Sequence, residues 1–230
     1  VEGTSNSSRA FQRMRVYHFV NAEFGLDDIR NRHIKVSTIG NLNDPFDLAG
    51  AQLGDRALRQ AYEDMIRSFE DQVGILCFSR RRDNPLQWAH YADRHRGICL
   101  GFDIADKDLL RVQYVSRRPK SIIGDRHADT ALRERAVLNA LLTKFSHWRY
   151  EHEERAFISL STTYKRDGLH FLRFPAGMDL REVLVGYKSS LSKAEVEQAV
   201  GDLSNVAIRK VRPAFASFRI VYQQKKELWG

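Results

Sequence analysis

Residues 73–103 read VGILCFSRRRDNPLQWAHYADRHRGICLGFD. Two short apolar runs, 73–79 and 97–103, stand at its ends, each bounded by turn-forming or charged residues, as buried strands are. Between them Asn84-Pro85 offers a helix cap followed by proline at the first helical position. The short helix that follows carries Leu86, Trp88 and Tyr91. Upstream, 15–20 is a first strand, 23–31 a short helix with Phe24, Leu26 and Ile29 inward, and 33–37 an alternating strand. Asp55 caps a helix to about Glu70, with Leu58, Tyr62, Met65, Ile66 and Phe69 at helical spacing. Downstream, 108–115 reads as a strand and 128–147 as a helix carrying Leu132, Leu138, Leu142 and Phe145. Residues 151–160 and 182–187 read as strands, and Ser192 with Glu195 forms a capping box for a helix ending near Gly201. Two last strands fall at 206–211 and 217–221. Helices and strands alternate irregularly and several strands are sequential, so the expected class is α+β: a central mixed or antiparallel sheet with flanking helices.

The expected organisation is a single domain over 15–230, preceded by a small polar stretch, 1–14, read as a disordered leader or artificial remnant. No G-x-G-x-x-G or G-x-x-x-x-G-K-[ST] motif is present, which argues against Rossmann and P-loop sites. No run approaches 18 apolar residues, so no membrane partner is expected. Without a signal peptide, and with its two cysteines (Cys77 and Cys99) in apolar runs, the chain is expected in the cytoplasm. Neither cysteine has a partner at metal-ligand spacing, and no metal is expected. The formal net charge is +8 and the sequence pI is near 9.6. That balance favours an anionic partner, nucleic acid among them. The oligomeric state is left open.

Three polar segments adjoin apolar runs and are candidates for one pocket. Asn43-Asp44-Pro45-Phe46-Asp47 is a rigid turn that can offer an amide and a carboxylate. Trp88-Ala89-His90-Tyr91 sets two aromatic rings three residues apart and His90 on another face. In 151–155, a strand reading places Glu151, Glu153 and Arg155 on one side, where Arg155 lowers carboxylate pKa values and their mutual repulsion raises one. Tyr17-His18 presents one ring to each face of the first strand.

Taken together, these segments resemble an uncharacterised bacterial domain family. Asn43-Asp44-Pro45-Phe46-Asp47, Cys77-Phe78-Ser79, Trp88-Ala89-His90-Tyr91-Ala92-Asp93 with Gly97-Ile98-Cys99-Leu100-Gly101-Phe102-Asp103, and Trp148-Arg149-Tyr150-Glu151-His152-Glu153-Glu154-Arg155 carry the pattern over 15–221. That family implies no activity. The opening Val16-Tyr17-His18-Phe19, with Phe24-Gly25-Leu26-Asp27-Asp28-Ile29, is similar to the start of DNA-targeting ADP-ribosyltransferase toxins. Their late Glu-x-Glu matches Glu151-x-Glu153, and Ser79 stands for their mid-chain strand serine. No arginine stands at the corresponding first-strand position, and a Ser-Thr-Ser pattern is absent.

The second resemblance implies a split sheet and an ADP-ribosyltransferase-like enzyme or toxin with NAD as substrate, acting in phage defence or a toxin system. Glu153, with Glu151, would stabilise the oxocarbenium-like ribosyl centre. Tyr17, His18, Asn43, Asp44, Ser79, Trp88, His90, Tyr91 and Arg155 would bind NAD, and the acceptor would be nucleic acid. Two alternatives stand beside it: a non-catalytic nucleotide- or nucleic-acid-sensing module, and a nuclease using Asp44, Asp47 and Glu153 around Mg²⁺.

Overall fold

The computed structural model describes residues 12–48, 50–120 and 129–229; most of the expected leader lies outside them. The elements run β1 (Arg13–Val20), α1 (Ala22–Asn31), β2 (His33–Thr38), α2 (Arg56–Glu70), β3 (Val73–Ser79), α3 (Pro85–His90), β4 (Ile98–Ala105), β5 (Leu110–Arg111) and β6 (Gln113–Val115). They continue with α4 (Thr130–Leu141), β7 (Thr143–Phe145), β8 (Glu153–Ser159), β9 (Tyr164–Arg166), β10 (Leu169–Arg173), β11 (Met178–Val185), α5 (Lys193–Val200), β12 (Ala207–Pro213) and β13 (Ile220–Tyr222). The class is α+β, as the sequence implies. An 11-stranded mixed sheet follows the path β13-β12-β11-β4-β1-β3-β2-β10-β9, with β8 on β3 and β5 on β8; β6 and β7 form a separate parallel pair.

Local chemistry accounts for the helix starts. Asn21, Asp55, Asn84, Asp129 and Ser192 each accept a hydrogen bond from a backbone N–H of the first turn, satisfying a donor that the helix leaves open. Pro85 sits at the start of α3, where its missing N–H costs nothing. β1, β3 and β4 alternate between two apolar layers. On one face Val16, Phe78, Leu100 and Phe102 pack beneath α1 and α5 through Leu26, Ile29, Val196 and Val200. On the other, Cys99, Leu184, Val211 and Ile220 pack around Trp88 and Ala92.

Three expectations change. The helix placed over 128–147 ends at Leu141, and Thr143–Phe145 turns extended to pair with β6. The strand over 108–115 breaks in two at Val112, whose N–H donates to the Glu153 carbonyl at 3.1 Å. Arg13 and Met14 belong to β1, so the ordered sheet begins inside the stretch taken as a leader.

The sheet forks at β3. One edge of β3 pairs with β8 along its whole length, Val73↔Ser159 to Ser79↔Glu153. The other edge is shared. β1 meets it only at Tyr17↔Ser79, while β2 meets it only at Ser37↔Ile75 and Thr38↔Gly74. Both run antiparallel to β3, so β1 and β2 are parallel to each other and joined by the crossover helix α1. Between the two contacts, Leu76, Cys77 and Phe78 have no strand partner on that edge among the described residues. The His18 ring reaches into this gap, its Nδ1 3.1 Å from the Cys77 carbonyl oxygen.

Gly97 holds β4 against its neighbours. A Cβ at this position would lie 2.2 Å from the Val20 carbonyl oxygen and 2.9 Å from the Ala92 backbone. Backbone atoms cannot swing aside as a side chain can. Gly97→Ala should therefore lower stability by about 1–3 kcal/mol, the range for overpacking. Urea unfolding midpoints check this; an unchanged midpoint would mean that β1 and α3 shift freely.

Candidate functional site

The fork opens into a cleft of about 870 Å³. Its walls are the end of β1 and the start of α1, from Tyr17 to Phe24, and Lys35 and Ser37 of β2. Asn43 and Asp47 come from the following loop, Cys77 and Ser79 from β3, Gln87, His90 and Tyr91 from around α3. Lys144, Glu151 and Glu153 complete it.

Residues 146–151 form a single 3-10 stretch, so the strand expected from Glu151 begins at Glu153, and His152 between them lies in the left-handed region at φ 45°. This bend brings Glu151 and Glu153 to the same cleft. Three carboxylates and two cations meet there. Lys144 Nζ lies 2.7 Å from Glu151 Oε2, 3.1 Å from Glu153 Oε2 and 3.5 Å from Asp47 Oδ2. Arg155 donates from Nε to Glu153 Oε1 at 2.7 Å and from Nη2 to Glu153 Oε2 at 3.1 Å. It also donates to Asp47 Oδ1 at 2.7 Å and to the Leu141 carbonyl at 2.8 Å. Every one of these side chains is at most 6% exposed.

The two glutamates are treated differently. Burial pushes the Glu153 carboxyl up, but Arg155 and Lys144 outweigh it and hold the pKa at about 2. For Glu151, burial dominates and its pKa is raised, although Lys144 and the Tyr91 hydroxyl pull the other way. Tyr91 donates to Glu151 Oε1 and in turn accepts from Asn43 Nδ2 at 3.1 Å. The Glu151 carbonyl is fixed as well, by Ser79 Oγ at 2.6 Å and Gln87 Nε2 at 3.0 Å. The Glu153 N–H donates to the Tyr114 hydroxyl at 2.9 Å. Burial lowers the His18 pKa, which favours the neutral ring at neutral pH.

Of the residues singled out from sequence, the structure gathers Tyr17, His18, Asn43, Ser79, His90, Tyr91, Glu151 and Glu153 around one cleft. Three others sit elsewhere. Trp88 is fully buried against Phe19, and its Nε1–H donates to the Arg82 carbonyl at 2.7 Å, so no face is left for a ligand. Asp44 closes its own turn, with Oδ1 accepting from the Phe46 N–H at 2.9 Å. Arg155 lies sealed beneath the floor. Ser79 is only 2% exposed, and its hydroxyl is engaged by the Glu151 carbonyl and the Arg81 N–H. It positions the 3-10 stretch rather than a ligand.

Lys144 was missed because its segment reads as helix; Thr143 and Phe145 around it are the β-prone signal that was available. Arg80, Arg81, Arg82 and Arg96 each face a carboxylate: Glu154, Asp83, Glu182 and Asp93. Arg117 and Arg118 instead line a second groove of about 300 Å³ with Phe46 and Phe145, and Lys144 borders both hollows.

No family model, curated protein or solved structure matches the chain. What the cleft can do is therefore read from its own atoms. Among the described residues no helix is long and apolar enough to cross a membrane.

The unequal glutamates give a stability test. Glu153→Gln leaves Arg155 with Asp47 alone and should cost about 3–5 kcal/mol. Glu151→Gln leaves Lys144 balanced by Glu153 and Asp47 and should cost much less. Because the folded Glu153 pKa lies below the ordinary 4.5, its stabilisation is complete above pH 4.5 and is lost as pH falls toward 2. Wild-type denaturation midpoints should drop in that window and those of Glu153→Gln should drop less. Equal midpoints for the two variants at pH 7 would show that Arg155 does not need Glu153.

Proposed function

We propose that the chain is a cytoplasmic, NAD-consuming ADP-ribosyltransferase with a nucleic-acid acceptor, and that Glu151 rather than Glu153 meets the ribosyl centre. One observation carries this reading: a desolvated, incompletely neutralised carboxylate stands in a dinucleotide-sized cleft opened by a forked sheet. A split sheet and a Glu-x-Glu are what the resemblance to DNA-targeting ADP-ribosyltransferases implies.

Breaking the C1′–N bond of NAD releases neutral nicotinamide with the bonding pair and leaves positive charge on the ribosyl carbon and ring oxygen. A fixed carboxylate in a dry site stabilises that charge without reorganising. The acceptor's nucleophile then bonds to C1′ and its proton leaves, to Glu151 or to water. Both Glu153 oxygens are clamped by cations, so its charge is already spent. Glu151 keeps one oxygen toward Lys144 and the other toward a neutral phenol. Lys35 and the N-terminal turn of α1 border the same cleft and suit a pyrophosphate. A module that only bound nucleotide would gain nothing from burying a carboxylate here. A Mg²⁺ nuclease would need free carboxylate oxygens, whereas Asp47 and Glu153 give theirs to Lys144 and Arg155.

Labelled NAD, incubated with the protein and single-stranded nucleic acid, tests this. Wild type should release nicotinamide, and Glu151→Gln should lose on the order of 10²-fold or more in turnover with an unchanged fold. The acid limb of kcat/KM should lie above the ordinary glutamate pKa, since Glu151 must be ionised. Tyr91→Phe, which removes a donor to the charged form, should move that limb higher. Full turnover in Glu151→Gln would end the assignment.

The second groove supports the acceptor. Phe46 and Phe145 are 57% and 42% exposed, beside Arg117 and Arg118. Exposed rings and guanidinium groups are what single-stranded bases and phosphates stack and pair on. Phe145→Ala with Arg118→Glu should cut transfer to nucleic acid on the order of 10-fold while sparing NAD hydrolysis. Equal loss of both activities would assign the groove to NAD instead.

A further inference from the structure

At the end of α1 away from the cleft, Asp27, Asp28 and His33 form a cluster that the NAD chemistry does not use. Their candidate ligand atoms all lie within 4.8 Å of one another. His33 Nε2 is 2.9 Å from Asp27 Oδ2 and 3.5 Å from Asp28 Oδ1. Donors held about 2.0–2.2 Å from a tetrahedral zinc ion stand roughly 3.3–3.5 Å apart, so this spacing suits one ion with small adjustments.

Asp28 supplies the independent observation. It is fully buried, and among the described residues neither of its carboxylate oxygens has a hydrogen-bond partner. An unpartnered carboxylate inside a core is costly, and its oxygen points toward the His33 ring nitrogen. The surroundings are those of a supported ligand set. His33 is fully buried, stacks on Phe171 at 4.5 Å, and its Nδ1 contacts the Tyr164 hydroxyl. With Nδ1–H given to that hydroxyl, Nε2 presents a lone pair toward two carboxylates, an arrangement that only a cation or a proton makes favourable. Asp27 is oriented by Arg166 and by Asn31 Nδ2 at 2.8 Å, and a carboxylate has lone pairs enough to accept these and still ligate. Its side chain is 27% exposed, which gives an entry path and room for a water ligand.

We infer that Asp27, Asp28 and His33 bind one divalent transition metal ion of the zinc class, with water as a fourth ligand. One imidazole with two carboxylates fits zinc better than the all-oxygen shell magnesium prefers. The ion would tie α1 to the start of β2 and so fix the helix whose other end borders the cleft. Its role is structural and independent of the ADP-ribosyl reading.

Tag-free full-length protein, loaded with Zn²⁺ and dialysed into metal-free buffer, is analysed for bound metal by mass spectrometry. One zinc per chain is expected, with a melting temperature that rises with Zn²⁺, falls with chelator and ignores Mg²⁺. Asp28→Asn and His33→Gln should each lose the zinc and the zinc-dependent shift, while Glu151→Gln keeps both. If either variant fails to fold, Co²⁺ replaces the test: wild type should show visible ligand-field bands that Zn²⁺ abolishes. Wild type without stoichiometric zinc, folded variants that keep it, or no such Co²⁺ bands would overturn the site.

Discussion

A guanidinium sealed from water must be matched where it lies. Arg155 has no solvent exposure, and Glu153, Asp47 and the Leu141 carbonyl answer it. Lys144 is nearly as deep and answers Asp47, Glu151 and Glu153. Removing one member of such a set leaves another charge buried and alone, which is why it is so restrictive. The cluster binds the distant 43–47 turn to three consecutive segments: β7, the 3-10 stretch and β8.

The same cluster divides two glutamates that look alike. Glu153 is held at about 2, whereas burial raises Glu151. The difference is Arg155, which clamps both oxygens of one glutamate and does not reach the other. Neighbouring carboxylates pushed in opposite directions by their surroundings are a common arrangement at reactive centres. Here the division gives one a structural task and leaves the other available to the cleft.

The cleft exists because β1 and β2 compete for one edge of β3. A parallel pair joined by a helix usually lies side by side. In this sheet each takes only one end of β3 and parts from it at the other, so backbone that would form a ladder becomes cavity wall. The buried side of α1 keeps the two strands apart, with Leu26 and Ile29 in the core. Cys77 and Phe78 are left for side chains such as His18 to cover.

Much was legible before any coordinates. The strands at 73–79 and 97–103 declare themselves by apolar runs between turn residues, and the caps at Asn84, Asp55 and Ser192 act through local hydrogen bonds. Periodicity also put Glu151 beside Glu153, although a left-handed His152 achieves this rather than a continuous strand. β9 and β10 were not legible, because they are three and five residues long and owe their conformation to a pairing partner. Asp44 and Trp88 look like site residues in the sequence, yet one closes its own turn and the other fills the core. The sequence by itself determined the α+β class, the main elements and the residue types of the cleft, since these rest on interactions within a few positions. Only the tertiary structure decided the fork and the meeting of Asp47 with Lys144 and Arg155. Charges and strand edges choose partners by distance in space, which spacing along the chain does not encode.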